Sequence, residues 1–287
     1  MGMTAAPFKA ACVQLRTGRN VQENIEAASA LIRAAHGAGA QFIATPETTS
    51  LMELKADVLF ATCVEEAKDP ALLAFRQLAE ELSVWLLVGS LALRVAPDKV
   101  VNRSLLIGPD GSLKARYDKI HMFDVDLPGG ESYRESKNYR AGTEAVIADL
   151  PWGRLGLSVC YDLRFPYLYR QLAKTGASFL TVPSAFTQKT GEAHWHVLLR
   201  ARAIETGCFV IAPAQGGTHE NGRQTYGHSL IISPWGEILA EAAQEPTFIL
   251  AEIDPAKVAE ARSRIPALDH DRAVLAPSGA FKASGEA

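Results

Sequence analysis

GRLGLSVCYDLRFP, residues 153–166, is an apolar run that stops on a cysteine and turns at once toward a helix. Residues 154–160 read as a strand ending at Cys160, and 166–175 as the helix that follows. The rest of the chain repeats this alternation in both directions. Strands are predicted at 8–15, 41–46, 84–91, 101–108, 113–119, 145–149, 154–160, 178–183, 208–214, 228–233 and 247–253, and further helices at 21–38, 70–82, 192–206 and 255–263. The first helix carries Val21, Ile25, Ala28, Leu31 and Ile32 as one stripe of 3.6-residue period. Asn20 is its expected N-cap, and Gly37 and Gly39 end it. Such a pattern predicts an α/β fold in which a mixed sheet is covered by helices. Eleven strands overfill a single sheet, so two sheets packed face to face are expected. With no repeat or low-complexity linker, residues 1–275 read as one domain. The small, polar PSGAFKASGEA places a poorly ordered tail at 276–287.

Composition narrows the function by exclusion. Of 287 residues, 48% are hydrophobic and 21% charged, enough for a large core. Lys plus Arg (29) nearly balances Asp plus Glu (32), so neither nucleic acid nor an anionic membrane is an expected partner. No apolar run approaches the roughly 20 residues of a membrane helix. The opening MGMTAAPFK lacks the apolar core of a secretion signal, which points to the cytoplasm. The four cysteines are far apart and lack zinc-like spacing. Cys12, Cys63 and Cys208 sit in apolar strand or helix contexts and read as small buried hydrophobes.

Cys160 differs because two other predicted strands also end on a reactive residue. QFIATPE (41–47) ends at Glu47 and LKARYDK (113–119) at Lys119. Strand carboxyl ends are where α/β proteins gather ligands and chemistry. A thiol is a nucleophile only as thiolate, so it needs a base such as a carboxylate to take its proton. An ammonium beside it favours the thiolate and can hold the oxyanion of a tetrahedral intermediate. The backbone N–H of Tyr161, just after the thiol, is a natural second donor. Strand ends also hold polar residues for solvation alone, so residue type and position leave the trio open.

The local sequences go further. ATPETTS (44–50), RYDKIHMFDVDLPGG (116–130) and GRLGLSVCYDLRFP together resemble the nitrilase superfamily of carbon–nitrogen hydrolases, in family order and over residues 8–265 or so. The resemblance implies a four-layer α-β-β-α sandwich, a homodimer or higher oligomer, and neither metal nor organic cofactor. It implies Glu47 as general base, Lys119 as stabiliser of the tetrahedral intermediates and Cys160 as carrier of a thioester. It also implies a second glutamate after the Lys motif, here Glu135 of ESYRES, with Glu131 as local rival.

Residues 183–239, from PSAF through AHW, GHS and PWG, look most like the small-amidase branch that includes deaminated glutathione amidase and the omega-amidases. Nitrilases and N-carbamoyl hydrolases share the same triad, and a catalytically silent scaffold would keep the fold while losing one of the three. A small carboxylate-bearing amide calls for a pocket cation. Arg164 of CYDLRFP is either that cation or the ion-pair partner of Asp162 or another acid. Phe186, Thr187 and Tyr226 either line the pocket or simply pack. His194 and His196, two apart on a helix, point to different faces and should not ligate together. His121 reads as a hydrogen-bonding support, and Arg200 and Arg202 as a solvated or ion-paired helix face.

Overall fold

Side-chain alternation in the first strand already assigns the layers. Phe8, Ala10 and Cys12 point into one buried cluster, and Ala11 and Val13 into another on the opposite face. A strand buried on both faces belongs between two layers.

The computed structural model describes residues 5–127 and 130–275, so the expected tail at 276–287 lies outside the described residues. The chain runs β1 (Phe8–Gln14), α1 (Val21–Gly37), β2 (Phe42–Ala44), α2 (Ala56–Thr62), α3 (Pro70–Leu82), β3 (Trp85–Ala96), β4 (Lys99–Ile107) and β5 (Leu113–Asp118). A small hairpin follows, β6 (Asp124–Asp126) and β7 (Ser132–Arg134), then β8 (Ile147–Leu150) and β9 (Gly153–Leu157). Next come α4 (Pro166–Lys174), β10 (Ala177–Thr181), α5 (Gln188–Thr206) and β11 (Phe209–Ala212). The rest is a second hairpin, β12 (Gly216–Thr218) and β13 (Gln224–Tyr226), then β14 (Leu230–Ile232), β15 (Ile238–Glu241), β16 (Thr247–Ile253) and α6 (Ala256–Arg264).

Two six-stranded sheets form, in the orders β16-β1-β2-β3-β4-β5 and β15-β14-β11-β10-β9-β8. In each, three parallel strands at the centre carry antiparallel neighbours at the edges. Helices α1 and α3 cover the outer face of the first sheet, where Ile25, Ile32, Phe75 and Leu78 meet Val13, Leu86 and Val88. Each such fully buried side chain contributes about 1.5–3 kcal/mol. Between the sheets, Phe8 stacks on Trp152 at 4.0 Å and meets Phe179 edge-on at 5.5 Å. Helices α4 and α5 close the second sheet with Leu168, Leu172, Trp195 and Leu199. The result is an α-β-β-α sandwich. No described helix is long and apolar enough to cross a membrane.

Several boundaries differ from expectation. The strand before Cys160 stops at Leu157, because Ser158 leaves the ladder to bond Tyr169 and the Thr181 carbonyl. Helix α5 begins at Gln188 rather than 192, since Thr187 caps it by accepting from the Thr190 N–H. Helix α2 and strand β15 are additional elements, both short.

Candidate active site

Glu47 is placed by a tight crossing just after β2. Thr45 Oγ1 accepts the Gly89 N–H at 3.0 Å, and a Cβ on Gly89 would lie 2.0 Å from the Thr45 carbonyl oxygen. Only a glycine lets the two backbones approach this closely. Lys119 directly follows β5, and its N–H donates to the Asn102 carbonyl of β4 at 2.9 Å. Cys160 opens a 3-10 turn, Cys160–Arg164, with its backbone in the left-handed region at φ 52°. A non-glycine residue held there is strained, and the surroundings must enforce it.

Asp162 supplies much of that enforcement. Fully buried, it accepts from the Val159 N–H (2.8 Å), the Tyr117 hydroxyl (2.7 Å) and the His121 N–H (3.0 Å), and it bonds His121 Nδ1 at 2.7 Å. His121 in turn stacks on Phe165 and reaches the Tyr167 hydroxyl. Arg202 meets the ion-paired half of its expectation, with Nη1 2.9 Å from Glu205 Oε1, but on a buried face rather than a solvated one. It is buried at 5% exposure and donates twice to the Leu163 carbonyl, holding the turn from α5.

The three residues converge in the interior. Lys119 Nζ lies 2.9 Å from Glu47 Oε1 and 3.0 and 2.8 Å from the two Glu135 oxygens. Asn102 Nδ2 donates to Glu47 Oε1 at 2.9 Å and Glu135 Oε1 at 3.2 Å, and the Ala185 N–H donates to Glu47 Oε2 at 2.9 Å. Glu131 instead pairs with Lys189 at 2.7 Å, so Glu135 is the glutamate on the lysine. Cys160, 6% exposed, lines the same cavity as Glu47 and Lys119, and its thiol lies within the fields of both.

Burial works against each charge, and the partners decide the outcome. For Glu47, burial pushes the pKa up, but the Lys119 ammonium, the Cys160 thiol and the more distant Arg223 outweigh it and hold the carboxyl below its usual range. For Lys119, burial opposes the charge, while Glu135 and Glu47 drive the ammonium well above its usual range. Burial and the Glu47 charge raise the Cys160 thiol, with Lys119 opposing. The resting arrangement is a thiol near a carboxylate and an ammonium. Burial also raises the thiols of Cys12, Cys63 and Cys208, but none of them has this carboxylate and ammonium beside it.

These groups form the floor of a cavity of about 260 Å³. Tyr161, Arg164, Phe186 and Thr187 line it. Arg164 does not pair with Asp162, whose oxygens are taken. Its guanidinium lies 5.8 Å over Tyr161 and 5.5 Å over Phe186, with His194 Nδ1 at 3.3 Å. Tyr226 does not line the cavity. Its N–H donates to the Phe186 carbonyl, and its ring stacks on His228 at 4.3 Å and covers Gly191.

Of the lining residues that sequence reasoning passed over, two stand out. Among the described residues, two buried side-chain polar atoms lack a hydrogen-bond partner, Asn102 Oδ1 and Arg223 Nε, and both residues face this cavity. Neither announces itself, since one sits inside a strand and the other in a polar hairpin. The group that could hold a metal lies apart from the cavity lining. His196, His228 and Glu241 bring ligand atoms within 4.8 Å of one another, and Glu241 Oε1 already bonds both imidazoles at 2.9 and 2.8 Å. His194 points instead toward Arg164.

The chain belongs to the carbon–nitrogen hydrolase family, whose model matches residues 9–263. It is 42% identical over 269 residues to a deaminated glutathione amidase of Synechocystis, covering 92% of this chain and 98% of that one. It is 34% identical to the omega-amidase NIT2 of Bos taurus, over 94% of this chain and 97% of the relative. The solved NitFhit protein of C. elegans superposes with a TM-score of 0.86 at 37% identity, over 94% of this chain and 66% of that one.

Proposed function

We propose that the protein is a thiol amidase that cleaves the C–N bond of a small carboxylate-bearing amide, with deaminated glutathione as substrate. The observation that carries this reading is the convergence of Cys160, Glu47 and Lys119 on one cavity floor, with Lys119 shared by two glutamates. Glu47 takes the thiol proton, and the sulfur attacks the amide carbonyl carbon. Lys119 and the Tyr161 N–H hold the resulting oxyanion. The intermediate collapses as Glu47 returns its proton to the leaving nitrogen, and the free amine departs. Water then gives a proton to Glu47 and attacks the thioester. Collapse of this second intermediate releases the carboxylic acid and restores the thiol with that proton. Glu135 and Asn102 hold Lys119 and Glu47 in place throughout, and no step calls for a metal or cofactor.

The two named relatives frame the substrate choice. Deaminated glutathione and α-ketoglutaramate both present an amide on a chain that ends in an α-keto acid, and Arg164 suits that carboxylate. The test is turnover of both compounds by purified protein, with Cys160→Ala as control. Preference for deaminated glutathione, abolished in the variant, is expected. Preference for α-ketoglutaramate moves the reading to an omega-amidase with the same triad. Ammonia released only from a nitrile or a carbamoyl amino acid overturns it. Four unpaired cysteines suit a reducing compartment such as the cytoplasm. Residues 1–275 act as one domain in this proposal, and it works as a homodimer.

A further inference from the structure

The charges around the cavity do not cancel locally. Of its lining acids, Glu53 pairs with Arg19, and Glu47 and Glu135 share Lys119. Of its lining cations, Arg134 pairs with Asp126. Among the described residues, Arg164 and Arg223 have no carboxylate in ion-pair contact, although Arg223 lies within the fields of Glu47 and Glu131. Arg164 stands on the turn that carries Cys160, against Tyr161 and Phe186. Arg223 rises from the β12–β13 hairpin, donates to the Ala185 carbonyl at 2.6 Å, lies 5.4 Å over the Tyr133 ring and keeps its buried Nε unmet. The two guanidiniums rest on different aromatic rings and share no partner, so they form two sites rather than one. A buried guanidinium N–H without an acceptor is unfavourable by itself and is relieved by an anionic ligand.

We infer that Arg164 and Arg223 are separate carboxylate sites and that the preferred substrate carries a carboxylate on each side of the scissile amide. The inference rests on the amidase reading above and refines its substrate. Sides follow from the chemistry. Ala185 donates its N–H to Glu47 and accepts from Arg223, so Arg223 stands on the side of the carboxylate that must protonate the leaving nitrogen. Arg223 therefore receives the carboxylate of the departing amine. Arg164, on the nucleophile's own turn, receives that of the acyl arm. Deaminated glutathione has both groups. α-Ketoglutaramate, whose leaving group is ammonia, has the acyl one alone.

Three compounds separate the sites: deaminated glutathione, the same compound with its glycine carboxylate converted to a carboxamide, and butanoyl-cysteinylglycine, which lacks the acyl-side carboxylate. Wild type should lose roughly ten- to hundredfold in kcat/KM for each carboxylate removed, mostly through KM. Arg223→Gln should show that loss on the diacid and almost no further loss on the carboxamide. Arg164→Gln should do the same with the butanoyl compound. Arg223→Lys and Arg164→Lys, which keep a charge, should recover part of the affinity and confirm that each site tolerates change.

The rival role for Arg223 is to offset the surplus negative charge of Glu47 and Glu135. That role would lower kcat on all three compounds alike and shift the acid limb of the pH profile, and either result overturns the inference. Cys160-dependent turnover indifferent to both carboxylates also overturns it, while leaving the amidase reading intact. Absence of turnover on any amide removes both.

Discussion

Lys119 is the residue on which the floor of the cavity balances. Its side chain is 2% exposed and lies within 3.0 Å of oxygens from two glutamates, one of them 5% exposed. Removing the charge strands the buried Glu47 and the half-buried Glu135, and breaking such a buried pair costs about 3–5 kcal/mol. Lys119→Met is therefore expected to lower the unfolding free energy from urea denaturation by that amount, with a lower midpoint, and to abolish turnover together. A drop in turnover with an unchanged midpoint would show that the glutamates do not depend on the lysine for their burial. Glu47, Lys119 and Cys160 were singled out in the sequence by their places at predicted strand ends, which left the trio open until the resemblance of the three surrounding segments to the nitrilase superfamily was added. The fold brings them to one cavity. Arg223 and Asn102 were not singled out. Asn102 looks like any polar residue within a strand, and Arg223 like any polar residue of a turn. Their significance lies in what they fail to bond, a property that only the fold exposes. Arg202 was half legible, since its ion pair with Glu205 was among the readings, but its burial over the Leu163 carbonyl was not.

Elements were legible where their periodicity ran long. The stripe of α1, its Asn20 cap, which accepts from the Gln22 and Glu23 N–H groups, and the central strands of both sheets lie where the pattern puts them. The edge strand β15, with no buried residue, and α2, with Leu59 as its one buried residue and no side-chain cap, lack the buried apolar run that marks even the three-residue β2. The hairpin β12–β13, which carries Arg223, was illegible for the same reason, yet it has its own anchor. His219 is 3% exposed, bonding the Thr17 carbonyl through Nδ1 at 2.9 Å and the Thr225 hydroxyl through Nε2 at 2.6 Å. Burial first, then the nearby Arg223 and Arg16, push its pKa from 6.5 down to about 4, against the pull of the Thr17 carbonyl. A base with its folded pKa lowered binds fewer protons folded than unfolded. Its contribution to stability is thus complete above pH 6.5 and is lost as pH falls toward 4. At about 1.4 kcal/mol per unit, the loss reaches about 3 kcal/mol. Urea midpoints measured between pH 7 and 4 should fall more steeply for wild type than for His219→Gln. Parallel slopes would show that His219 is not the group responsible.

At the scale of the whole molecule, one outer layer is finished and the other is not. Over the first sheet, α1 and α3 turn charged and polar side chains outward, apart from the exposed Leu73. Over the second, α5 exposes Val197 at 69% and Ile204 at 54%, seven residues apart and so on one helical face. Ile204 meets the turn at Trp235 and Gly236, with Trp235 49% and Ile265 59% exposed around the same hollow. Contiguous apolar surface of this kind, with Arg200 and Arg264 at its edge, has the composition of an interface. In the homodimer proposed above, this is the face a second copy is expected to cover, since a self-complementary patch closes about a two-fold axis. The consequence reaches the site, because α5 holds the Cys160 turn through Arg202 and carries Thr187 as its cap at the cavity wall. Sedimentation of the wild-type chain should give twice the monomer mass. Ile204→Asp, which places a charge at the centre of the patch without touching the cavity, should give the monomer and a reduced kcat at unchanged Cys160 content. A wild-type monomer with full turnover would show that the second outer layer is left bare and that α5 needs no partner to hold the nucleophile's turn.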